Sequence, residues 1–200
     1  MTGAALIGGI VLAIAAAAAA DEDPMRGKHR TEHTVSLEAN VAGTPSALYR
    51  LWTTADGVTK FFAPKARIDA KPGGEYTILF APDDDPRGYS HGTFGARVLR
   101  AEPGRSLAFE WVAFAGDASL GRNAPPIASR ALRDAEPLPT WVELGFEPLE
   151  GGRATRVTLH HYGFQDGALW AASHAWFQRA WTGVLESLAR YCAEEDRCRE

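Results

Sequence analysis

Cysteine, a basic excess and the usual catalytic signatures are all scarce in this chain of 200 residues. Its two cysteines, Cys192 and Cys198, stand near the C-terminus without a histidine beside them, which makes a poor zinc motif. Lys and Arg number 21 against 25 Asp and Glu, for a formal net charge of −4. That balance removes the electrostatic footprint of a nucleic-acid binder, and it is too mild to keep a chain unfolded. Ser119, Ser129 and Ser173 lack the context of a nucleophile elbow, and neither a glycine-rich phosphate loop nor a zinc-spaced His-Glu motif occurs. Asp83-Asp84-Asp85 lacks the Gly and Glu positions of a calcium loop and reads as a solvated turn. No catalytic residue, metal site or cofactor is therefore assigned. Without an internal repeat or a second boundary, the length suits one domain plus a tail, large enough to bury a core unaided.

The first twenty residues stand apart. Residues 4–20 carry no charge and close on Ala18-Ala19-Ala20 before Asp21-Glu22-Asp23-Pro24. Small residues ending an apolar run match a secretory cleavage site, although Met1-Thr2-Gly3 supplies no Lys or Arg. The run is short for a membrane span of ~20 residues, so no stable span is expected after cleavage. Residues 1–20 are read as a signal peptide and the mature protein as periplasmic or secreted, with an uncleaved anchor as the alternative. Residues 21–30, which include Arg26, Lys28, His29 and Arg30, read as a solvated linker. An oxidising destination makes a Cys192–Cys198 disulfide plausible. Six residues of helix rise ~9 Å while bridged Cα atoms lie within about 7 Å, so the helix would have to stop soon after Cys192. Otherwise Cys192 is a core thiol and Cys198 a mobile one in a tail over residues 194–200.

Between these ends lies one domain, residues 31–193. A strand is expected over 31–41. Thr44 and Pro45 then form an N-cap and first helical position, opening a helix that gives way near Thr53-Thr54. A second short helix covers 56–62. Strands at 66–70 and 75–80 flank the turn Lys71-Pro72-Gly73-Gly74, and further strands follow at 91–100 and 106–114. Residues 115–139 read as a long loop. Strands 140–148 and 154–162 pair across Glu150-Gly151-Gly152. Strand parity groups Tyr76, Ile78 and Phe80; Phe94, Ala96 and Val98; Leu107, Phe109 and Trp111; Val142, Leu144 and Phe146; and Val157, Leu159 and His161 on inward faces. A helix over 169–191 places Trp170, His174, Phe177, Trp181, Val184 and Leu188 on one face by alternating steps of four and three.

These residues resemble the SRPBCC superfamily, the helix-grip fold of START domains and the birch-pollen allergen, and within it the activator of heat-shock-protein-90 ATPase homologue family. The resemblance rests on Leu51-Trp52-Thr53-Thr54-Ala55-Asp56-Gly57 with Phe61-Phe62-Ala63-Pro64, on Lys71-Pro72-Gly73-Gly74, and on Leu107-Ala108-Phe109-Glu110-Trp111. Asn123-Ala124-Pro125-Pro126, the run from Val157 to Phe164, and Phe177-Gln178-Arg179-Ala180-Trp181 complete it. It implies an α+β fold: a curved antiparallel sheet of about seven strands wrapped around a long C-terminal helix, with two short helices after the first strand. Two departures from the family pattern stand out, the export signal and the insertion of residues 112–122 before Asn123.

A helix gripped by a curved apolar sheet leaves room for a ligand. Tyr76, Phe94, Trp111, His161, His174, Phe177 and Trp181 are the candidate ligand-binding residues, with the two histidines as polar partners or as ordinary core residues. The leading functional expectation is an exported binding protein whose partner is a small hydrophobic or amphipathic molecule. The alternatives are an enzyme of the polyketide cyclase, dehydratase or hydrolase kind using the same cavity, for example through His161 and Tyr76, or a protein-interaction module of the chaperone-cofactor kind. Fold alone does not choose among them. N-terminal sequencing of the exported protein is expected to begin at Asp21 or within a few residues. A membrane-bound mature chain that retains Met1 would establish the anchor instead.

Overall fold

The computed structural model describes residues 25, 28, 30–112, 140–194 and 197–199. The expected signal at 1–20, the loop at 115–139 and the Asn123 motif lie outside the described residues. The elements are β1 (Val35–Ala42), α1 (Pro45–Thr53), α2 (Ala55–Val58), β2 (Lys65–Ile68), β3 (Tyr76–Leu79), β4 (Val98–Glu102), β5 (Ser106–Trp111), β6 (Thr140–Leu149), β7 (Ala154–Tyr162) and α3 (Ala168–Ala193). Five strands form one antiparallel sheet in the order β1-β7-β6-β5-β4, and β2 pairs with β3 in a second. Isolated bridges from Glu75 to Arg97 and from Leu79 to Gly92 carry the curvature from one sheet to the other. This is the helix-grip arrangement expected of an α+β chain, with its seven strands divided between two sheets.

Local chemistry explains the element ends. Thr44 Oγ1 accepts from the Ala47 amide at 3.2 Å and Pro45 starts α1, as the sequence pattern requires. Thr54 repeats the cap for α2 through the Gly57 amide at 3.0 Å, and α2 stops at Val58, earlier than expected. The expected strand at 91–100 is shorter than its alternation suggests. Gly95 has φ of +90°, and the Ala96 amide closes a turn on the Thr93 carbonyl at 3.0 Å. Thr93 Oγ1 itself bridges to β3, donating to the Tyr76 carbonyl and accepting from the Ile78 amide, both at 2.8 Å. A side chain thus replaces a ladder bond, and Phe94 rides out on the turn.

The inner face of the sheet is apolar as parity demands. Leu107, Phe109 and Trp111, Val142, Leu144 and Phe146, and Val157, Leu159 and His161 are all buried. Phe80 breaks the pattern because β3 ends at Leu79, leaving Phe80 at the surface. The buried line of α3 is Ser173, Phe177, Trp181, Leu185, Leu188 and Cys192. Compared with the expected stripe, Leu185 replaces Val184, and Trp170 and His174 are only half-buried. Among the described residues no helix is long and apolar enough to cross a membrane.

Two segments expected to be loose are fastened. Helix α3 stops at Ala193, and the chain turns back so that Cys192 and Cys198 form a disulfide with Cα atoms 5.2 Å apart. The Cys198 carbonyl then accepts from the Thr44 amide at 2.9 Å, and a Cβ on Gly43 would collide with Cys198. The N-terminal segment is likewise no solvated linker at the positions described. Met25 packs on an outer-face cluster of Leu99, Ala108, Trp141 and Tyr162, while Lys28 and Arg30 pair with Glu110 and Glu143.

Trp181 lies mid-helix and buried, whereas Trp170 is half-buried in the first turn of α3. Trp181→Ala is expected to cost ~3–5 kcal/mol, as removal of a buried aromatic does, and Trp170→Ala clearly less. Denaturant melts of the two variants check this; equal, small losses would misplace the helix face.

Candidate functional site

The interior between the sheet and α3 is organised around His161. Strand β7 aims its side chain inward, and it is fully buried. Three rings surround it: Phe164 with a centroid at 4.6 Å, Phe177 at 4.7 Å and Trp181 at 6.0 Å, each edge-on. Trp181 Nε1–H donates to His161 Nδ1 at 3.1 Å. An indole nitrogen only donates, so Nδ1 is the accepting nitrogen and the proton of the neutral ring sits on Nε2. That Nε2–H is buried and has no partner among the described residues. Burial, and secondarily the nearby His174, lowers the pKa of His161 to about 3.

Aromatic contacts extend the site along the sheet. Trp111 lies 4.9 Å from Trp181 and Phe62 5.5 Å from it, with Phe62 and Trp111 stacked at 6.0 Å. Trp111 Nε1 and Ser173 Oγ, both in buried residues, also lack hydrogen-bond partners among the described residues.

The expected site residues separate into three groups. Trp111, His161, Phe177 and Trp181 come together in this aromatic interior. Tyr76 is buried beside it, stacked on Phe109 at 4.0 Å, but its hydroxyl donates to the Trp52 carbonyl at 2.9 Å. Burial pushes its phenol far above the ordinary range, and its hydroxyl ties the strand to the end of α1. His174 is at the rim, with its ring 5.3 Å from that of Phe164. It lines a surface cleft of about 320 Å³ shared with Trp170 and with an His33–Asp166 pair whose Nε2–Oδ1 distance is 2.8 Å. Phe94 stands outside altogether: it is 36% exposed, with Tyr89 at 6.2 Å and the Arg87 guanidinium over its face at 5.0 Å.

Sequence reasoning passed over Phe62, Phe164 and Ser173. Ser173 stands one turn before Phe177 and two before Trp181, a spacing that places it on their face. Phe62 belongs to the Phe61-Phe62-Ala63-Pro64 block, but only the tertiary path of the chain after α2 carries it to Trp181. No group of three or more His, Cys, Asp or Glu among the described residues is placed to hold a metal.

A curved sheet gripping one long C-terminal helix around an apolar interior defines the helix-grip class of the SRPBCC superfamily. Residues 42–193 match the family model "Activator of Hsp90 ATPase homolog 1-like protein", and the chain belongs to that family. A search of the curated proteins found no match. Among solved structures, protein MLL2253 from Mesorhizobium loti is similar, with TM-score 0.57 and 19% identity over 82% of this chain and 98% of that one. Protein NE0264 from Nitrosomonas europaea gives TM-score 0.58 and 19% identity over 84% and 98%. The Aha1 dimer from Colwellia psychrerythraea gives 0.52 and 16% over 82% and 97%. At such identities the likeness establishes the fold.

The state of His161 has a pH consequence. Its folded pKa of about 3 lies below the ordinary 6.5, so the unfolded chain binds the proton first. Stability from this group is complete above pH 6.5 and is lost as pH falls toward 3, by at most ~1.4 kcal/mol per pH unit. In urea melts at pH 7 and pH 4.5, His161→Gln is expected to lose less stability than wild type across that interval. An identical pH dependence would show that His161 is accessible to protons in the native state.

Proposed function

We propose that the protein is a binding protein for a small, largely apolar molecule that carries a hydrogen-bond acceptor, held between the sheet and the first half of α3. The observation that carries this reading is the fully buried His161 Nε2–H, which has no described partner inside a cage of Phe164, Phe177 and Trp181. A mostly apolar lining with a few convergent polar groups is the usual form of a small-molecule site. Trp111 Nε1–H and Ser173 Oγ–H supply further donors, so the favoured guest is neutral and oxygen-bearing, such as a ketone, ester or phenol.

The enzyme reading is less well supported. His161 accepts from Trp181 and has a strongly lowered pKa, which makes it a weak base near neutral pH. Tyr76, its candidate partner, is tied to the Trp52 carbonyl. Export, the other part of the proposal, is supported by the apolar run at 4–20 and by a disulfide whose two cysteines are both buried. A periplasmic or extracellular protein would be out of reach of a cytosolic ATP-driven chaperone, which weighs against an interaction role of that kind.

Native mass spectrometry of protein purified from its own host is expected to reveal a bound small molecule. A neutral apolar probe with a carbonyl group should then bind wild type and lose about fivefold in affinity in His161→Ala, the worth of one neutral hydrogen bond. His174→Ala, at the rim, should change it little. No binding by wild type, or equal affinities in all three proteins, would leave His161 as a core residue.

A further inference from the structure

The outer face of the sheet carries a second, unrelated feature. In the register of β5, β6 and β7, Glu110, Trp141 and Tyr162 form one row across the strands, and Ala108, Glu143 and His160 form the next. Sheet surfaces that face water are ordinarily polar and open. Here Trp141 is 1% exposed, and the carboxylate-bearing residues Glu110 and Glu143 are buried as well. What covers them is the chain's own N-terminal segment. Lys28 Nζ meets Glu110 Oε1 at 2.6 Å, with the two side chains 1% and 7% exposed. Arg30 Nη2 donates to both Glu143 oxygens, at 3.2 and 2.9 Å, and its guanidinium lies 4.8 Å from the Tyr162 ring centroid.

We propose that this acidic–aromatic groove is a binding site for a basic segment of the pattern Lys-x-Arg, filled in cis by Met25, Lys28 and Arg30, which it fastens to the domain. Spacing supports the match. Glu110 and Glu143 stand on neighbouring strands two residues out of register, a diagonal of about 7–8 Å that two long basic side chains two residues apart can span. The two contacts also differ in kind. A lysine taken out of water is tolerated only beside a counter-charge, which Glu110 supplies to Lys28, whereas exposed Arg30 adds two contacts from one guanidinium nitrogen and a ring contact. Met25 completes the seal on Leu99, Ala108, Trp141 and Tyr162. Further along, Thr31 Oγ1 donates to the Phe164 carbonyl at 2.6 Å, which ties the segment to the residue that cages His161. Because the occupant precedes β1 and touches only the outer face, loss of a carboxylate should release it without unfolding the core on the opposite face.

Two measurements test the proposal. In wild type, a brief pulse of acetic anhydride should acetylate Lys28 at least tenfold more slowly than the exposed Lys71, read by peptide mass spectrometry. Equal rates would overturn it. Second, a labelled peptide of residues 24–34 should bind full-length Lys28→Ala/Arg30→Ala, whose groove is vacated, and not wild type. Adding Glu110→Gln and Glu143→Gln should abolish that binding. Binding by wild type would show a groove open to outside partners and not filled in cis. No binding by the vacated variant, or binding indifferent to the two carboxylates, would remove the site.

Discussion

The hydrogen bond from Trp181 to His161 joins the two layers of this protein in their buried aromatic interior. It spans from the middle of α3 to the last strand of the sheet, and it fixes three things together. It sets the rotation of the helix, since Trp181 must aim its indole nitrogen at one atom. It sets the tautomer of His161, because the indole can only donate. It occupies the Nδ1 lone pair that a proton would need, and so acts alongside burial, the main cause, and His174, the lesser one, which together lower the imidazole pKa. The directional contact therefore supplies what hydrophobic packing alone does not, a preferred register between helix and sheet.

Inner and outer faces of the same strands use different physics. Inside, alternation alone creates the core, and His161 is its polar exception. Outside, Trp141 and Tyr162 on β6 and β7 would be an exposed aromatic patch were they not covered by Met25 and flanked by the Lys28 and Arg30 ion pairs. Described residues outside the sheet and α3 thus contribute to the fold as well. The segment before β1 closes the outer face, and the tail after α3 packs on Gly43 and Thr44, held there by the disulfide.

Period-two parity on β5, β6 and β7 identified the inward sets, His161 among them, because those strands are regular and one face is buried throughout. The Thr44-Pro45 cap and the extent of α3 were equally readable, since both depend on local chemistry. Phe94 was not. Its neighbours alternate like a strand, and only the positive φ at Gly95 together with the Thr93 side-chain bridge reveals a turn. The burial along α3 does not follow from spacing alone: at 100° per residue Trp170 and His174 project within about 20° of Trp181, yet both are half-buried, because they stand in the first two turns where the helix borders the cleft shared with His33 and Asp166. The N-terminal segment resembled a solvated linker because its partners, Glu110 and Glu143, lie 82 and 113 residues away. Tertiary pairings of that kind leave no local pattern.

The central claim is that His161 is a neutral, Nδ1-accepting imidazole whose Nε2–H is turned into a closed aromatic interior. Long-range ¹H–¹⁵N correlation spectra of the imidazole side chains, recorded from pH 7.5 to pH 4.5, read both nitrogens directly. The account expects His161 to keep an unprotonated Nδ1 and a protonated Nε2 across the whole range. An Nδ1–H tautomer at neutral pH, or an imidazolium at position 161 by pH 5.5, would contradict it.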